Sequence, residues 1–408
     1  MKLLILTADP KTLLCHRQEL IRNFAAKGWE IVGAASGPGG EAEAFLQSVG
    51  GKYVALNGAR SGLSLRQDWK AFQEMRRVIR EVNPDVLLPY TIKSVAYGSL
   101  AAGLERVPAI YPLICGLGYP FAPAQSAKQW LIGRISSLFY KLALRRATLV
   151  FLQNHDDEHL LRQRGLLHRN TPSQVLNGSG VDLEAFAPPA TEEKPRDKTR
   201  MKFVLVSRLL KSKGIPEYVQ AARTLKAEFP HWEFHLLGSE DPGPDGIKVS
   251  QVEAWAAEGW IHYHGSQSDV RPFLADADAF VLPTYYREGV PRAALEALAM
   301  GLPIITTDSV GARETVALTT AGELQRRANE SLMEGKNGCL VRPRHVGALC
   351  WAMKSLAARP ERLLEMARQS RQLAVSRFDV QRVNAVMVNR ILATLPKPSL
   401  SFEPALNL

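Results

Sequence analysis

Short apolar runs alternate with longer amphipathic ones along almost the whole chain, and the alternation breaks once. In the first half, Lys2–Leu6 reads as a strand, Leu13–Lys27 as a helix and Glu30–Ala35 as a strand. Gln67–Val82 reads as a helix, with Trp69, Phe72, Met75 and Ile79 three or four residues apart. Asn83 and Pro84 stop it, and Asp85–Pro89 follows as a strand. Ala109–Tyr111 and Thr148–Leu152 read as further strands, with a helix over Lys128–Arg146 between them. Strands separated by helices imply a parallel sheet wound on both faces, because each parallel crossover needs a dozen or more residues.

The break falls at Val181–Arg200, where Pro188, Pro189 and Pro195 sit among charged residues with little periodicity. This reads as a linker. The pattern then restarts with strands at Met201–Ser207, Trp232–Leu237, Trp260–Tyr263, Ala279–Leu282 and Pro303–Thr306. Helices fall at Pro216–Glu228, Val249–Glu258, Val270–Ala275 and Arg292–Met300, and three more at His345–Ala357, Pro360–Val375 and Phe378–Leu395 close the chain. The expected fold class is α/β, two Rossmann-like domains facing a central cleft. We place them at residues 1–182 and 201–375, with a linker at 183–200 and a helix and tail at 376–408 that cross back to the first domain. A length of 408 residues suits two domains. Ligands of such sheets bind outside the carboxyl ends of the strands.

Composition narrows the partners. Fifty-one basic against 40 acidic residues give a net charge of +11, which points to nucleic acid, an anionic membrane or a phosphorylated substrate. Cys15, Cys115, Cys339 and Cys350 form no C-x-x-C, so a zinc ribbon or thioredoxin-like site is not expected, and they read as cytosolic thiols. The opening MKLLILTADP is too short an apolar run for a signal peptide. The longest uncharged run, Val107–Ala127, contains Pro108, Pro112, Pro120 and Pro123, so no membrane-spanning helix is expected there.

The chemistry concentrates in Leu282–Thr307. A strand ends at Leu282, a loop follows, and Pro291 suits the first position of a helix, where its missing N–H is not needed. Glu288 then lies on the loop and Glu296 about one turn into the helix. Gly289 and Val290 offer N–H groups at a helix amino end suited to phosphate oxygens. A second cluster, Val206–Gly214, follows the first strand of the second half and presents Arg208 and Lys213 at the same sheet edge. Arginine offers a fork to phosphate oxygens and lysine a point charge. Taken singly, Glu288 reads as a surface loop residue, Glu296 as a solvated helix position and the basic cluster as a helix cap. Two phosphate-directed clusters on one sheet edge are harder to assign to chance.

Arg208…Lys213-Gly214, YREGVPR, LEALAMGLPIITT, GARETV and NGCLV together resemble the retaining glycosyltransferases of family 4, which have the GT-B fold. CHRQELIRNFAAKGWEI, ICGLGYPF and VLNGSGVD in the first half are similar, more loosely, to bacterial transferases that extend undecaprenyl-diphosphate-linked glycans with N-acetylhexosamines. The resemblance implies that Arg208 and Lys213 bind the donor diphosphate, Glu288 contacts the donor sugar, and Glu296 holds the ribose hydroxyls. Gly289, Val290 and Pro291 would run beneath the phosphates, and the uracil would lie near Gly238 and Gly265. It implies a UDP-sugar donor, a polyprenyl-diphosphate-linked acceptor, retention of anomeric configuration and no required cofactor or metal. The first strand is followed by Thr7-Ala8-Asp9-Pro10, without the glycine pair common in the family, and the loop Cys115–Tyr119 lacks the family's histidine. His16, Gly116, Gly118 and Tyr119 are the acceptor-side candidates, with a buried or helix-capping histidine the alternative reading of His16. Asp276-Ala277-Asp278 matches a D-x-D metal motif as a string, but it precedes a strand and reads as structural.

From Arg106 to His155 there are six basic residues and no acidic one. Lys128, Trp130, Arg134, Lys141, Arg145 and Arg146 would face an anionic membrane, placing the protein in the cytoplasm, peripheral on the inner face of a bacterial plasma membrane. A core helix with a charged outer face is the alternative. No nucleic-acid module is present, and no nucleic-acid partner is expected. Two other functions stay open on sequence grounds: a nucleotide-sugar epimerase of the same architecture, and a non-catalytic sugar-nucleotide-binding scaffold.

Overall fold

The computed structural model describes residues 1–57, 65–121, 127–189, 200–327 and 331–395. The first half carries β1 (Lys2–Leu6), β2 (Glu30–Ser36), β3 (Lys52–Leu56), β4 (Val86–Pro89) and β5 (Ala109–Ile110), a parallel sheet in the order β3-β2-β1-β4-β5. Pro112, which has no N–H for a ladder, separates β5 from β6 (Leu113–Ile114). β6 pairs with β7 (Val150–Leu152), and β7 with β8 (Ser173–Val175), all parallel. A bridge between Tyr90 and Leu113 joins this set to the end of β4.

The second half carries β9 (Lys202–Val206), β10 (Glu233–Leu237), β11 (His262–Tyr263), β12 (Ala279–Leu282), β13 (Ile304–Thr307), β14 (Leu332–Glu334) and β15 (Gly338–Val341). Their order is β11-β10-β9-β12-β13-β15-β14, with β14 antiparallel to β15. Phe203, Leu205, Phe280, Val281, Ile304 and Ile305 are fully buried, the consequence of helices covering both faces of a parallel sheet. From β9 the chain winds outward through β10 and β11, then returns to lay β12 on the other side of β9. The crevice between the ends of β9 and β12 is the switch point of the sheet.

The chain leaves the first half and returns to it side by side. Val181 N–H donates to Phe378 O (2.8 Å) and Val380 N–H returns to Val181 O (3.0 Å). The last helix, Val380–Thr394, buries Val383, Met387, Val388 and Ile391 in the core of the first half, where Tyr111 Oη donates to Ile391 O at 3.2 Å. The start of the expected linker is anchored to the second half, because the Arg371 guanidinium donates to Leu183 O, Phe186 O and Ala299 O. Residues 190–199 and 396–408 of the expected linker and tail lie outside the described residues.

Some helices are short enough to escape periodicity, among them Glu41–Ser48 and His155–Gln163. Trp69, expected on the apolar face of its helix, is 62% exposed and leans on Phe72. Among the described residues no helix is long and apolar enough to cross a membrane.

Candidate active site

The loops after β9 and β12 are laced together at the switch point. Ser212 O accepts N–H groups from Tyr285 (2.8 Å) and Tyr286 (3.0 Å), and the Thr284 hydroxyl at 3.2 Å. Gly214 has φ +77°, and a Cβ there would stand 2.2 Å from Pro283 O, so only glycine lets the two loops approach this closely. The lacing brings Lys213 against Glu288. Lys213 Nζ lies 2.7 Å from each Glu288 carboxylate oxygen, and the Thr284 hydroxyl reaches Oε1 at 3.3 Å. The two side chains are only 10% and 15% exposed. Arg208 is the outer cation, 55% exposed, and pairs with Asp241 at 2.5 Å. Tyr286 stands beside the cations: its ring centroid is 5.7 Å from Lys213 Nζ, and the charge of Arg208 acts on its hydroxyl. Burial pushes the Tyr286 phenol up, so it stays protonated.

The helix on the far side of the loop begins at Arg292, as its apolar pattern suggests, and leaves Pro291 outside its first position. Pro291 is its cap, with ψ 121°, and Arg292 is the first helical residue. Glu296 is 9% exposed and accepts Arg292 Nε at 2.7 Å. Burial pushes the Glu296 carboxyl up, and Arg292 partly offsets it. His16 comes from the first half, on helix Lys11–Ala25, near Arg292. Burial, then the charges of Arg292 and Arg17, holds its imidazole down to about 3, so it is neutral at physiological pH.

One expectation needs correction. The Gly289 N–H does not point into an open phosphate site; it donates to Cys115 O at 2.8 Å, a carbonyl of the first half. Gly118 N–H returns to Arg287 O at 2.8 Å. Gly116 has φ +120°, and a Cβ there would lie 2.5 Å from Gly289 N, so the acceptor-side loop runs directly over the donor-side loop. Val290 is buried at 6% exposure. Of the three backbone positions expected beneath phosphates, Gly289 therefore serves the contact between the halves.

The family of 4-like glycosyl transferase domains matches residues 16–178, and the "Glycosyl transferases group 1" family matches residues 200–359. The chain carries a 4-like glycosyl transferase domain followed by a group 1 glycosyl transferase domain. A Campylobacter jejuni N,N'-diacetylbacillosaminyl-diphospho-undecaprenol alpha-1,3-N-acetylgalactosaminyltransferase is 27% identical over 305 residues, 72% of this chain and 78% of the relative. An Escherichia coli UDP-Gal:alpha-D-GlcNAc-diphosphoundecaprenol alpha-1,3-galactosyltransferase is 25% identical over 257 residues, 61% of this chain and 64% of the relative. Sucrose-phosphate synthase from Thermosynechococcus elongatus superposes with a TM-score of 0.75 at 17% identity, over 97% of this chain and all of that one. Anabaena HepE in complex with UDP-glucose superposes with a TM-score of 0.73 at 18% identity, over 96% of this chain and 100% of that one. The fold is GT-B, and the chemistry is transfer of a glycosyl group.

The remaining candidates in this glycosyltransferase fall as follows. Gly238 and Gly265 follow β10 and β11 and are hydrogen-bonded, Gly238 N–H to Gly265 O at 2.8 Å. A Cβ on Gly238 would stand 1.8 Å from Ser207 O. Both therefore flank the Arg208 turn on the same sheet edge. Asp278 accepts Lys202 N–H at 2.8 Å, and Asp276 accepts Lys202 Nζ at 2.8 Å, so both brace the start of β9, away from the cleft. On helix Ala127–Leu144, Trp130, Leu131, Ile135, Leu138 and Leu142 are exposed, and so are Arg134 and Lys141. Arg145 and Arg146 are exposed just past its end. The side chains of Tyr119 and Lys128 lie outside the described residues.

The sequence reading missed Tyr286, Asp241 and Arg292. Tyr286 and Arg292 lie inside the motif already singled out, and Arg292 and Glu296 are four apart, the spacing of a helical ion pair. Asp241 is 33 residues from Arg208 and carries no local signal.

Proposed function

We propose that this glycosyltransferase moves a sugar, an N-acetylhexosamine, from a UDP-sugar to an undecaprenyl-diphosphate-linked glycan, with retention, at the inner face of a bacterial plasma membrane. The observation that carries this reading is the Lys213–Glu288 pair at the switch point, with Arg208 beside it. Lys213 and Arg208 are the cations available to a departing diphosphate, and stabilising that charge is the main demand of the reaction. In this reading the diphosphate takes over Lys213, and Glu288 is released to the donor-sugar hydroxyls. Glu296, one turn into the helix, takes the ribose. Attack from the same face as the leaving group, the donor phosphate accepting the acceptor's proton, requires no carboxylate below the anomeric carbon. No metal is needed in this scheme. The donor and acceptor classes are supported by the named activities of the Campylobacter and Escherichia relatives.

The exposed apolar and basic side chains of helix Ala127–Leu144 support delivery of a lipid-linked acceptor. Each basic residue near an anionic leaflet contributes about 1 kcal/mol. One experiment tests the whole reading: a panel of UDP- and GDP-sugars, with a crude undecaprenyl-linked acceptor extract in vesicles with and without anionic lipid, in the presence of EDTA. The expected result is transfer from one UDP-sugar, faster on anionic vesicles, giving an α-linked product by NMR. An epimerised sugar nucleotide formed without acceptor, or binding without turnover, would contradict it.

A further inference from the structure

The Glu288 carboxylate and the Glu288 backbone are held by opposite halves of the molecule. The carboxylate is gripped by Lys213 of the second half. The backbone is gripped from the first half, by the cap of helix His155–Gln163. Asn154 caps that helix, its Oδ1 accepting Asp157 N–H at 2.7 Å, and the same amide donates from Nδ2 to Glu288 O at 3.3 Å. Arg287, the residue before Glu288, donates from Nε to Asp157 Oδ1 at 2.9 Å and from Nη2 to Asp156 O at 3.4 Å. Asp157 is fully buried and Arg287 is 19% exposed. Gly289, the residue after, donates to Cys115 O, and a Cβ on it would stand 1.9 Å from Gln153 Oε1. Three consecutive residues of the second half are thus registered on the first half, with Glu288 in the middle.

We propose that Asp157 and Arg287 are a positioning pair through which the first half sets where the Glu288 carboxylate stands. The proposal rests on the reading of Glu288 as the donor-sugar contact. The pair does not touch substrate; it acts through the backbone between Arg287 and Gly289. Burial pushes the Asp157 carboxyl up, and Arg287 and Asn154 offset that push, so the charge of Asp157 depends on the partner it holds. An ion pair this buried contributes little net stability but is costly to break from one side, which suits a device for registration. Arg313, pairing with Asp156 at 2.8 Å, is a second and more exposed tie between the same elements. Among the groups assigned to the nucleotide, the arrangement reaches Lys213 alone, and only through the Glu288 carboxylate that the diphosphate displaces, so UDP affinity should respond far less than transfer.

The test compares Asp157→Asn, Arg287→Lys, the double variant and Glu288→Ala, each assayed for transfer kinetics and for UDP affinity by calorimetry. A displacement of the reacting groups by about 1 Å costs on the order of a hundredfold, so kcat should fall about 10- to 100-fold in each single variant. UDP affinity should stay within about twofold, and the double variant should be no slower than the slower single one, as expected of residues acting as a unit. Unchanged kcat, a UDP affinity that falls in step with kcat, or additive losses would overturn the proposal. If Asp157→Asn does not fold, Arg287→Lys decides, since it keeps the buried charge compensated and removes only the fork geometry. Failure of the functional reading itself would look different: Glu288→Ala would then transfer as well as the unaltered protein.

Discussion

Glu288→Ala should lower sugar transfer about a hundred- to a thousandfold, the loss typical of removing one group aimed at the reacting centre. UDP should still bind, because the groups assigned to the nucleotide stand on other loops. Lys213→Ala should lose as much activity for a different reason, by removing the inner of the two cations on the leaving diphosphate. It should also destabilise the protein, because Glu288 would keep only the Thr284 hydroxyl in a position 15% exposed. Breaking a buried pair from one side costs about 3 kcal/mol. Removing both partners should therefore return much of the stability lost in Lys213→Ala without returning activity. Chemical denaturation and initial rates on the three variants check this, and full activity in either single variant would remove the assigned site.

Gly311→Ala should be nearly as damaging although Gly311 carries no functional group. Its φ is +79°, which an L side chain resists, and a Cβ there would stand 1.7 Å from Gly289 O and 2.5 Å from Glu288 O. Neighbouring backbone cannot swing aside as a side chain can, so the strand of chain bearing Glu288 must shift. The expected result is a kcat about a hundredfold lower and a stability loss of about 3 kcal/mol. Steady-state kinetics alongside a urea titration would reveal both, and an unchanged kcat would mean that the Glu288 backbone is not where the chemistry is set.

Most strands of both sheets were legible because parallel strands buried on two faces are continuous apolar runs, as in KLLIL at Lys2–Leu6 and AFVL at Ala279–Leu282, but Lys52–Leu56, Leu332–Glu334 and Gly338–Val341 were not read as strands. Lys213 and Glu288 were legible because each lies in a short motif at a strand end. The strength of their mutual contact was not, since 75 residues separate them and only the lacing through Ser212 brings them together. The Asp157–Arg287 pair spans 130 residues and joins two halves that share no local pattern. The Gly289 N–H was misjudged for the same reason: a free donor on the isolated loop is satisfied by a carbonyl of the opposite half. His16, an acceptor-side candidate in the sequence, is buried close enough to Arg292 to feel its charge, a neighbour invisible from helix Lys11–Ala25 alone.

The most direct measurement is the structure of the protein with its sugar nucleotide bound. The account predicts the diphosphate on Lys213 and Arg208 between the ends of β9 and β12, Glu288 turned from Lys213 onto the sugar hydroxyls, and Glu296 on the ribose. A diphosphate bound elsewhere, with the Lys213–Glu288 pair still closed, would contradict it.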